Sequence, residues 1–155
     1  MATEIERKFL LLDDTWRSEI EKSQTIRQGY LAGSEKSSIR VRIADDQANI
    51  NIKSATLDVT RSEYEYPIPV NEANEILDLL CEGPLIEKTR YYVPRGDHCW
   101  EIDVFSGDND GLIVAEVELA EVDEEFERPD WLGEEVSDDA RYYNVCLVKH
   151  PYKEW

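Results

Sequence analysis

The chain has 155 residues, and its 35 Asp and Glu residues outnumber 17 Lys and Arg residues to give a formal net charge of −18. This length suits one domain with a substantial core, and a hydrophobic fraction of 41% is typical of a globular protein rather than an acidic disordered chain. So acidic a surface repels nucleic acid and anionic lipid, which excludes a nucleic-acid-binding protein with a broad basic face. A small basic pocket inside an acidic shell stays possible.

The cysteine content and the N-terminus indicate a reducing compartment. Cys81, Cys99 and Cys146 are widely spaced and include no Cys-x-x-Cys pair, so we expect free thiols. The N-terminal residues are charged from Glu4 onward and do not resemble a signal peptide. No apolar stretch approaches the roughly 20 residues of a membrane span. These features predict a cytoplasmic protein with no membrane partner.

Strands predominate along the chain. Alternation of apolar and polar residues predicts eight of them: Thr3–Leu11, Gln24–Leu31, Ser38–Ala44, Ala48–Ser54, Arg61–Pro69, Leu85–Pro94, Cys99–Phe105 and Leu112–Ala120. Most breaks between them are short and turn-like, so neighbouring strands should pair antiparallel. The acidic segment Glu121–Glu135 contains Pro129 and Gly133 and is expected to be a surface excursion.

Three segments have helical spacing. Asp14–Ile20 is expected to form a short helix, and Asn71–Cys81 a longer one with Asn71 as its N-cap. Ser137–Val148 is the third, with Ser137 as its N-cap. Since no repeat or linker interrupts the chain, residues 1–155 are predicted to form a single domain.

Charged residues recur at every second position of the predicted strands, where they share one face. These residues are Glu4, Glu6, Lys8, Arg40, Arg42, Lys53, Glu63, Glu65, Lys88, Arg90, Glu101, Asp103, Glu116 and Glu118. For any single strand, the simplest interpretation is the solvated face of an ordinary sandwich. However, two like charges about 7 Å apart repel by on the order of 2 kcal/mol at an effective dielectric near 20. Repetition over many strands therefore indicates that opposite charges compensate one another.

A closed barrel would supply this compensation. Eight antiparallel strands can point their charges into a lumen and their apolar faces outward. The prediction is therefore a mainly β fold: a closed eight-stranded antiparallel β-barrel with a charged lumen and a few flanking helices. The segments Asn71–Cys81 and Ser137–Val148, with Tyr152 and Trp155, are available to cover the outer face. Lumen acids suit Mg²⁺ or Mn²⁺ and lumen bases suit phosphate, a combination that indicates chemistry on a polyphosphate chain.

The alternation leaves four residues open. Arg27 and Arg61 lie near predicted lumen faces, but the pattern does not decide whether they reach the lumen. Tyr142, in the run Tyr142-Tyr143-Asn144, and Lys149 lie on or near the predicted C-terminal helix. The tyrosine run either packs on the barrel, which is the simpler expectation, or contacts the substrate at one end of the tunnel. Lys149 is expected to be solvated, with a phosphate contact as the alternative.

The charged residues also resemble a known family. Glu4 to Lys8 reads Glu-Ile-Glu-Arg-Lys, which matches the ExExK signature of the CYTH domain, or triphosphate tunnel metalloenzymes. The resemblance continues in the family's order through Ile39-Arg-Val-Arg42, Lys53, Glu63-Tyr-Glu65, Lys88-Thr-Arg90, Glu101-Ile-Asp103 and Glu116-Val-Glu118. It covers essentially the whole chain, which is most similar to the short bacterial inorganic triphosphatases of this family.

The resemblance implies a tunnel that binds a triphosphate with a divalent metal, Mg²⁺ or Mn²⁺. The positions implied for the metal are Glu4, Glu6, Glu116 and Glu118, and those for the triphosphate are Lys8, Arg40, Arg42, Lys53, Lys88 and Arg90. Glu4, Glu6 and Lys8 are the implied catalytic residues. Further lumen acids are Glu63, Glu65, Glu101 and Asp103, for which a second metal, orientation of water and neutralisation of the basic residues are open roles.

The predicted function is metal-dependent hydrolysis of a triphosphate substrate, foremost inorganic tripolyphosphate to pyrophosphate and phosphate. One alternative is a class IV-type adenylate cyclase, in which the ribose 3′-oxygen attacks the α-phosphorus of ATP. The others are a thiamine triphosphatase and a non-catalytic polyphosphate-binding module. The expected partner is a small-molecule triphosphate without nucleic acid, and the chain is expected to be a monomer or homodimer.

Overall fold

Nine strands and two α-helices make up the described part of the chain, residues 3–55 and 58–155 of a computed structural model. The strands are β1 (Thr3–Leu11), β2 (Lys22–Gly33), β3 (Ser37–Ala44), β4 (Gln47–Ser54), β5 (Thr60–Ile68), β6 (Glu82–Arg95), β7 (His98–Phe105), β8 (Ile113–Glu118) and β9 (Leu132–Glu135). The helices are α1 (Val70–Leu79) and α2 (Asn144–Leu147), with 3-10 turns at Thr15–Glu19, Gly107–Asn109, Ala140–Tyr142 and Tyr152–Glu154. None of the helices in these ranges is long and apolar enough to cross a membrane.

The sheet closes on itself. Its strands hydrogen-bond in the order β5-β4-β3-β2-β6-β7-β8-β1, and β5 also pairs with β1. All of these pairings are antiparallel. The closing seam is short, since only Thr3–Ile5 of β1 face residues of β5. The predicted eight-stranded antiparallel barrel is thus confirmed.

The outward faces of β1 and β7 are covered by residues from the connecting segments. Trp100 and Phe9 are fully buried in one cluster with Trp16 and Trp131. Trp16 belongs to the 3-10 turn after β1, and Trp131 precedes β9. Two tryptophans outside the predicted strands therefore supply a large share of the apolar cover, because their rings bury the most area per residue.

Helix α1 covers the next part of the outer face. Its buried residues Ala73 and Leu77 pack with Val41 and Ile43 of β3. The helix begins at Val70 after Pro69, rather than after an Asn71 cap as predicted. Pro69 fixes an extended backbone at the entry to the helix, with a φ of −62° and a ψ of 139°.

The C-terminal segment (Glu135–Leu147) closes one end of the barrel. Phe105 lies opposite Lys88 in the strand register, so its side chain points inward. It packs with Tyr142 and Leu147 in a buried apolar cluster. The segment therefore lies over inward-facing residues instead of covering the outer face.

The prediction of one helix over Ser137–Val148 is wrong. A 3-10 turn at Ala140–Tyr142 is followed by an extended Tyr143, with a φ of −83° and a ψ of 136°, and only then by α2. The Asp139 side chain accepts a hydrogen bond from the Arg141 backbone and caps this separate turn. The apolar spacing reflects packing into the barrel end, which local periodicity does not distinguish from a helix.

The prediction of a surface excursion over Glu121–Glu135 is wrong at its end. Leu132–Glu135 forms β9, which places Glu135 opposite Phe9 and Leu132 opposite Leu11 of β1. The strand has four residues and includes Gly133, so it carries almost no local strand signal.

Close packing at Gly133 predicts that Gly133→Ala destabilises the protein by about 1–3 kcal/mol. An added Cβ would lie 2.8 Å from the backbone oxygen of Leu10, which the sheet holds in place. The matched control is Gly33→Ala, where a Cβ meets nothing within 4 Å and the free energy of unfolding should change by about 0.5 kcal/mol or less. Urea denaturation measures the free energy of unfolding of both variants, and equal effects of the two substitutions would contradict the prediction.

Candidate active site

The barrel encloses a cavity of about 220 Å³ that is lined mainly by charged side chains. Most of the predicted site residues line it, namely Glu4, Glu6, Lys8, Arg40, Arg42, Lys53, Glu63, Arg90, Glu101, Glu116 and Glu118. The strand register explains this convergence, since Glu6 lies opposite Glu118 and Lys8 lies opposite Glu116. The charges therefore form one enclosed site rather than a set of solvated faces.

Three predicted residues lie outside the cavity lining. Lys88 and Asp103 are almost completely buried behind it, and Glu65 is exposed on β5. The Glu65 carboxylate accepts a hydrogen bond from Asn51 Nδ2 at 2.9 Å, and Asn51 does line the cavity. These three residues lie behind or beside the residues that line the cavity and do not form its surface.

The structure shows where each of the four residues lies whose position the sequence does not decide. Arg61 lines the cavity, whereas Arg27 lies on the outside of the barrel, where its guanidinium is 2.6 Å from Asp78 of α1. Tyr142 packs in the apolar cluster at the barrel end, and Lys149 is exposed.

Lys8 lies at the centre of an acidic group between β1 and β8. Its Nζ donates to Glu116 Oε1 at 2.5 Å and to Glu6 Oε1 at 3.4 Å. Burial would raise the pKa of Glu116, but the charge of Lys8 holds it well below its ordinary value. Burial and the nearby Glu116 charge raise the pKa of Glu6 to about 7. The local cations therefore do not fully compensate this group of acids.

A second group joins β1, β4 and β5. Lys53 Nζ lies 3.0 Å from Glu4 Oε2 and 3.5 Å from Glu63 Oε2. The Arg61 guanidinium lies 3.8 Å from Glu4 and 3.9 Å from Glu6. Lys53 and Arg61 thus supply further positive charge beside the carboxylates of Glu4 and Glu6.

A third group lies deeper in the wall, between β6 and β7. Lys88 Nζ donates to Asp103 Oδ2 at 2.7 Å, and Arg90 Nε donates to Asp103 Oδ1 at 2.8 Å. Burial would raise the pKa of Asp103, but Arg90 and Lys88 lower it. A second Arg90 nitrogen donates to Glu101 at 2.6 Å. Each of these cations is therefore paired within the protein.

Arg40 and Arg42 differ from the other lumen cations. In the described ranges, neither lies within 4.0 Å of a carboxylate oxygen. Arg42 Nε donates to the neutral Oε1 of Gln28 at 2.8 Å, and Arg40 Nε is buried without a hydrogen-bond partner. Burial and repulsion from Arg40 and Arg90 lower the pKa of Arg42 to about 9. Two guanidiniums, one buried and one half-buried, that face a cavity and have no carboxylate partner in the described ranges indicate a site for an anionic ligand.

Some contacts in the site were not predicted. Gln28 is fully buried beside Arg42, and Asn51 lines the cavity. Tyr143 and Asn144 also line it, although the sequence favours core packing over substrate contact for their segment. The position of Asn51, two residues before Lys53, was a usable signal because it shares that inward face. The irregular backbone around Tyr143 gave no comparable signal.

The acids are not arranged as a preformed metal cluster. Over residues 3–55 and 58–155, no three Asp, Glu, His or Cys side chains converge into a group that could hold an ion. The carboxylates instead lie against Lys8, Lys53 and Arg61. Their oxygens are nevertheless the donor type that Mg²⁺ and Mn²⁺ prefer.

Comparison with known proteins identifies two relatives that match nearly the whole chain. A protein named inorganic triphosphatase from Acetivibrio thermocellus is 46% identical over 155 residues, which span 100% of this chain and 99% of that protein. One of the same name from Nitrosomonas europaea is 39% identical over 151 residues, 94% of this chain and 97% of that protein.

A solved structure and a family assignment add to this comparison. The crystal structure of an inorganic triphosphatase, 35% identical, has a TM-score of 0.68 and covers 96% of this chain and 95% of its own. The CYTH domain matches residues 2–146. The resemblance in the charged motifs is thereby confirmed, and the chain belongs to the CYTH domain family.

Proposed function

We propose that this chain hydrolyses inorganic tripolyphosphate to pyrophosphate and phosphate with the help of Mg²⁺ or Mn²⁺. The observation that carries the proposal is a pair of guanidiniums, those of the buried Arg40 and the half-buried Arg42, which lack a carboxylate partner in the described ranges and share one cavity with the acids around Glu6. The predicted triphosphatase activity agrees with the names of the relatives.

Substrate binding would begin with Arg40 and Arg42. A guanidinium makes paired hydrogen bonds to phosphate oxygens, and a buried one without a counter-ion gains most from an incoming anion. Lys53 and Arg90 also line the cavity but are engaged by carboxylates. They would add contacts once the substrate's charge competes for them.

The acids fit a divalent cation. Glu4, Glu6 and Glu116 present buried or half-buried carboxylates to one cavity, and Glu118 lies opposite Glu6 at its exposed edge. Burial, followed by the nearby charges of Glu116 and Glu4, raises the pKa of Glu6 to about 7, and a bound divalent ion would favour its charged form. These four residues would hold the metal, which when bound polarises phosphoryl oxygens and acidifies water.

The protein's own groups would then stabilise the transferring phosphoryl group. Lys8 lies between Glu6 and Glu116, where its ammonium can neutralise charge on the phosphoryl oxygens. Arg40 and Arg42 would hold the departing pyrophosphate.

The test is a substrate panel of tripolyphosphate, thiamine triphosphate and ATP with Mg²⁺ or Mn²⁺. We expect phosphate release to be fastest from tripolyphosphate, to fall by about 100-fold or more when EDTA removes the metal, and to return when metal is added. Cyclic AMP and pyrophosphate from ATP would instead indicate a cyclase. Tight binding of all three without turnover would indicate a binding module.

The cellular setting stays a prediction from the sequence. We expect a cytoplasmic monomer or homodimer that acts on a small-molecule triphosphate without nucleic-acid or membrane partners.

A further inference from the structure

Tyr143 places an aromatic ring against two cations of the cavity. The ring centroid lies 4.9 Å from Lys8 Nζ and 5.3 Å from Arg61 Cζ. The residue is only 3% exposed and lines the cavity. Both distances are within the range of cation–π attraction, which is strongest when the cation is removed from water.

The ring is held by hydrogen bonds that also fix the backbone of Lys8. Tyr143 Oη donates to the backbone oxygen of Ser137 at 2.6 Å, and Ser137 Oγ accepts from the Lys8 backbone nitrogen at 2.9 Å. The backbone nitrogen of Val136 donates to the Lys8 oxygen at 2.8 Å. The C-terminal segment therefore contacts Lys8 at its backbone and, through Tyr143, at its ammonium.

Within residues 3–55 and 58–155, the two cations have few close carboxylate partners. Lys8 Nζ has one close acceptor in Glu116, while Glu6 is at 3.4 Å. The Arg61 guanidinium approaches Glu4 and Glu6 only to 3.8 Å and 3.9 Å. A ring face attracts both cations but carries no net charge, so it adds no repulsion toward phosphate oxygens as another carboxylate would.

We infer that Tyr143 is a positioning residue whose ring holds Lys8 and Arg61 in place for phosphoryl transfer. The inference rests on the proposed tripolyphosphatase function. Tyr143 acts through Lys8 and Arg61, whereas substrate binding depends on Arg40 and Arg42. Loss of the ring should therefore lower kcat more than it changes KM.

Two variants separate the ring from the hydroxyl group. Tyr143→Phe keeps the ring and is expected to retain kcat within about threefold, while Tyr143→Leu should lose about tenfold in kcat with KM changed about twofold or less. Urea denaturation is run on both variants, because loss of the hydrogen bond to Ser137 affects stability in each. Equal losses of kcat in the two variants would overturn the inference.

Fluorinated phenylalanines at position 143 give a readout that a purely structural role does not produce. Added fluorines weaken the negative ring face while largely preserving its size, so kcat should fall stepwise from phenylalanine to its trifluoro form. The same series at Tyr142, which packs in the apolar cluster, is the control, and kcat should stay constant along it. A flat series at position 143 in an active enzyme overturns this inference alone. A wild-type protein that releases no phosphate from tripolyphosphate overturns the proposed function and the inference with it.

Discussion

Arg42→Met is expected to lower kcat/KM for tripolyphosphate by about 100-fold or more while leaving the unliganded protein as stable as the wild type or more stable. The loss follows because the variant lacks one of the two cavity guanidiniums that have no carboxylate partner in the described ranges. Stability is retained because the pKa of Arg42, about 9, lies below its ordinary value. At neutral pH, below both values, the charged side chain therefore costs the native state free energy, and removal of that cost offsets the loss of the hydrogen bond to the buried Gln28.

Phosphate release and urea denaturation measure these two effects. Arg27→Met is the matched control, since Arg27 lies outside the barrel against Asp78 and should leave kcat/KM unchanged. Tripolyphosphate should raise the Tm of the wild type and of Arg27→Met much more than that of Arg42→Met. An Arg42→Met protein with normal turnover would show that this guanidinium does not bind the substrate.

Glu6→Gln is expected to reduce phosphate release by about 100-fold or more, even with saturating Mg²⁺ or Mn²⁺. Glutamine preserves the shape of the side chain but removes the charge that the proposed metal requires. The variant should also lose most of the increase in Tm that the metal produces in the wild type. Both effects arise from the same carboxylate, which lies beside Lys8 and opposite Glu118.

Glu65→Gln is the control for Glu6→Gln. It makes the same chemical change at a predicted lumen acid that is exposed on β5 and outside the cavity lining, so activity should stay within about twofold. Near-normal turnover of Glu6→Gln at saturating metal would refute the metal assignment. Equal losses in the two variants would attribute the effect to total charge rather than to the site.

The barrel was predictable because its main signal is local. A charge at every second residue assigns a face within one strand, so Arg40 and Arg42 were placed in the lumen without knowledge of any partner. Strand β9 was not predictable in this way, because it depends on pairing with the distant β1 and has only four residues. The extended Tyr143 likewise depends on the apolar end of the barrel, which local spacing does not reveal.

The sequence predicts which residues line the cavity more readily than it predicts which acid each cation contacts. The sequence places Lys88 and Arg42 on similar inward faces, but among the described residues only Lys88 has a carboxylate partner, Asp103, at 2.7 Å. Which cation meets which acid depends on the cross-strand register and on side-chain reach. For this reason, only the structure distinguishes Arg40 and Arg42, which have no carboxylate partner in the part of the chain that it describes, from the other cations of the site.

Strand β1 is the part of the barrel whose partners are most distant in sequence. Lys8 pairs with Glu116, 108 residues later, and Arg7 pairs with Glu135, 128 residues later. During synthesis, β1 therefore leaves the ribosome long before β8 and β9 exist, and such distant contacts are slow to form. An unpaired apolar strand would invite aggregation in that interval, and charged residues oppose it. The charges of Glu4, Glu6 and Lys8 should thus keep β1 soluble until its partner strands have been synthesised. In the folded protein, the same three residues line the cavity.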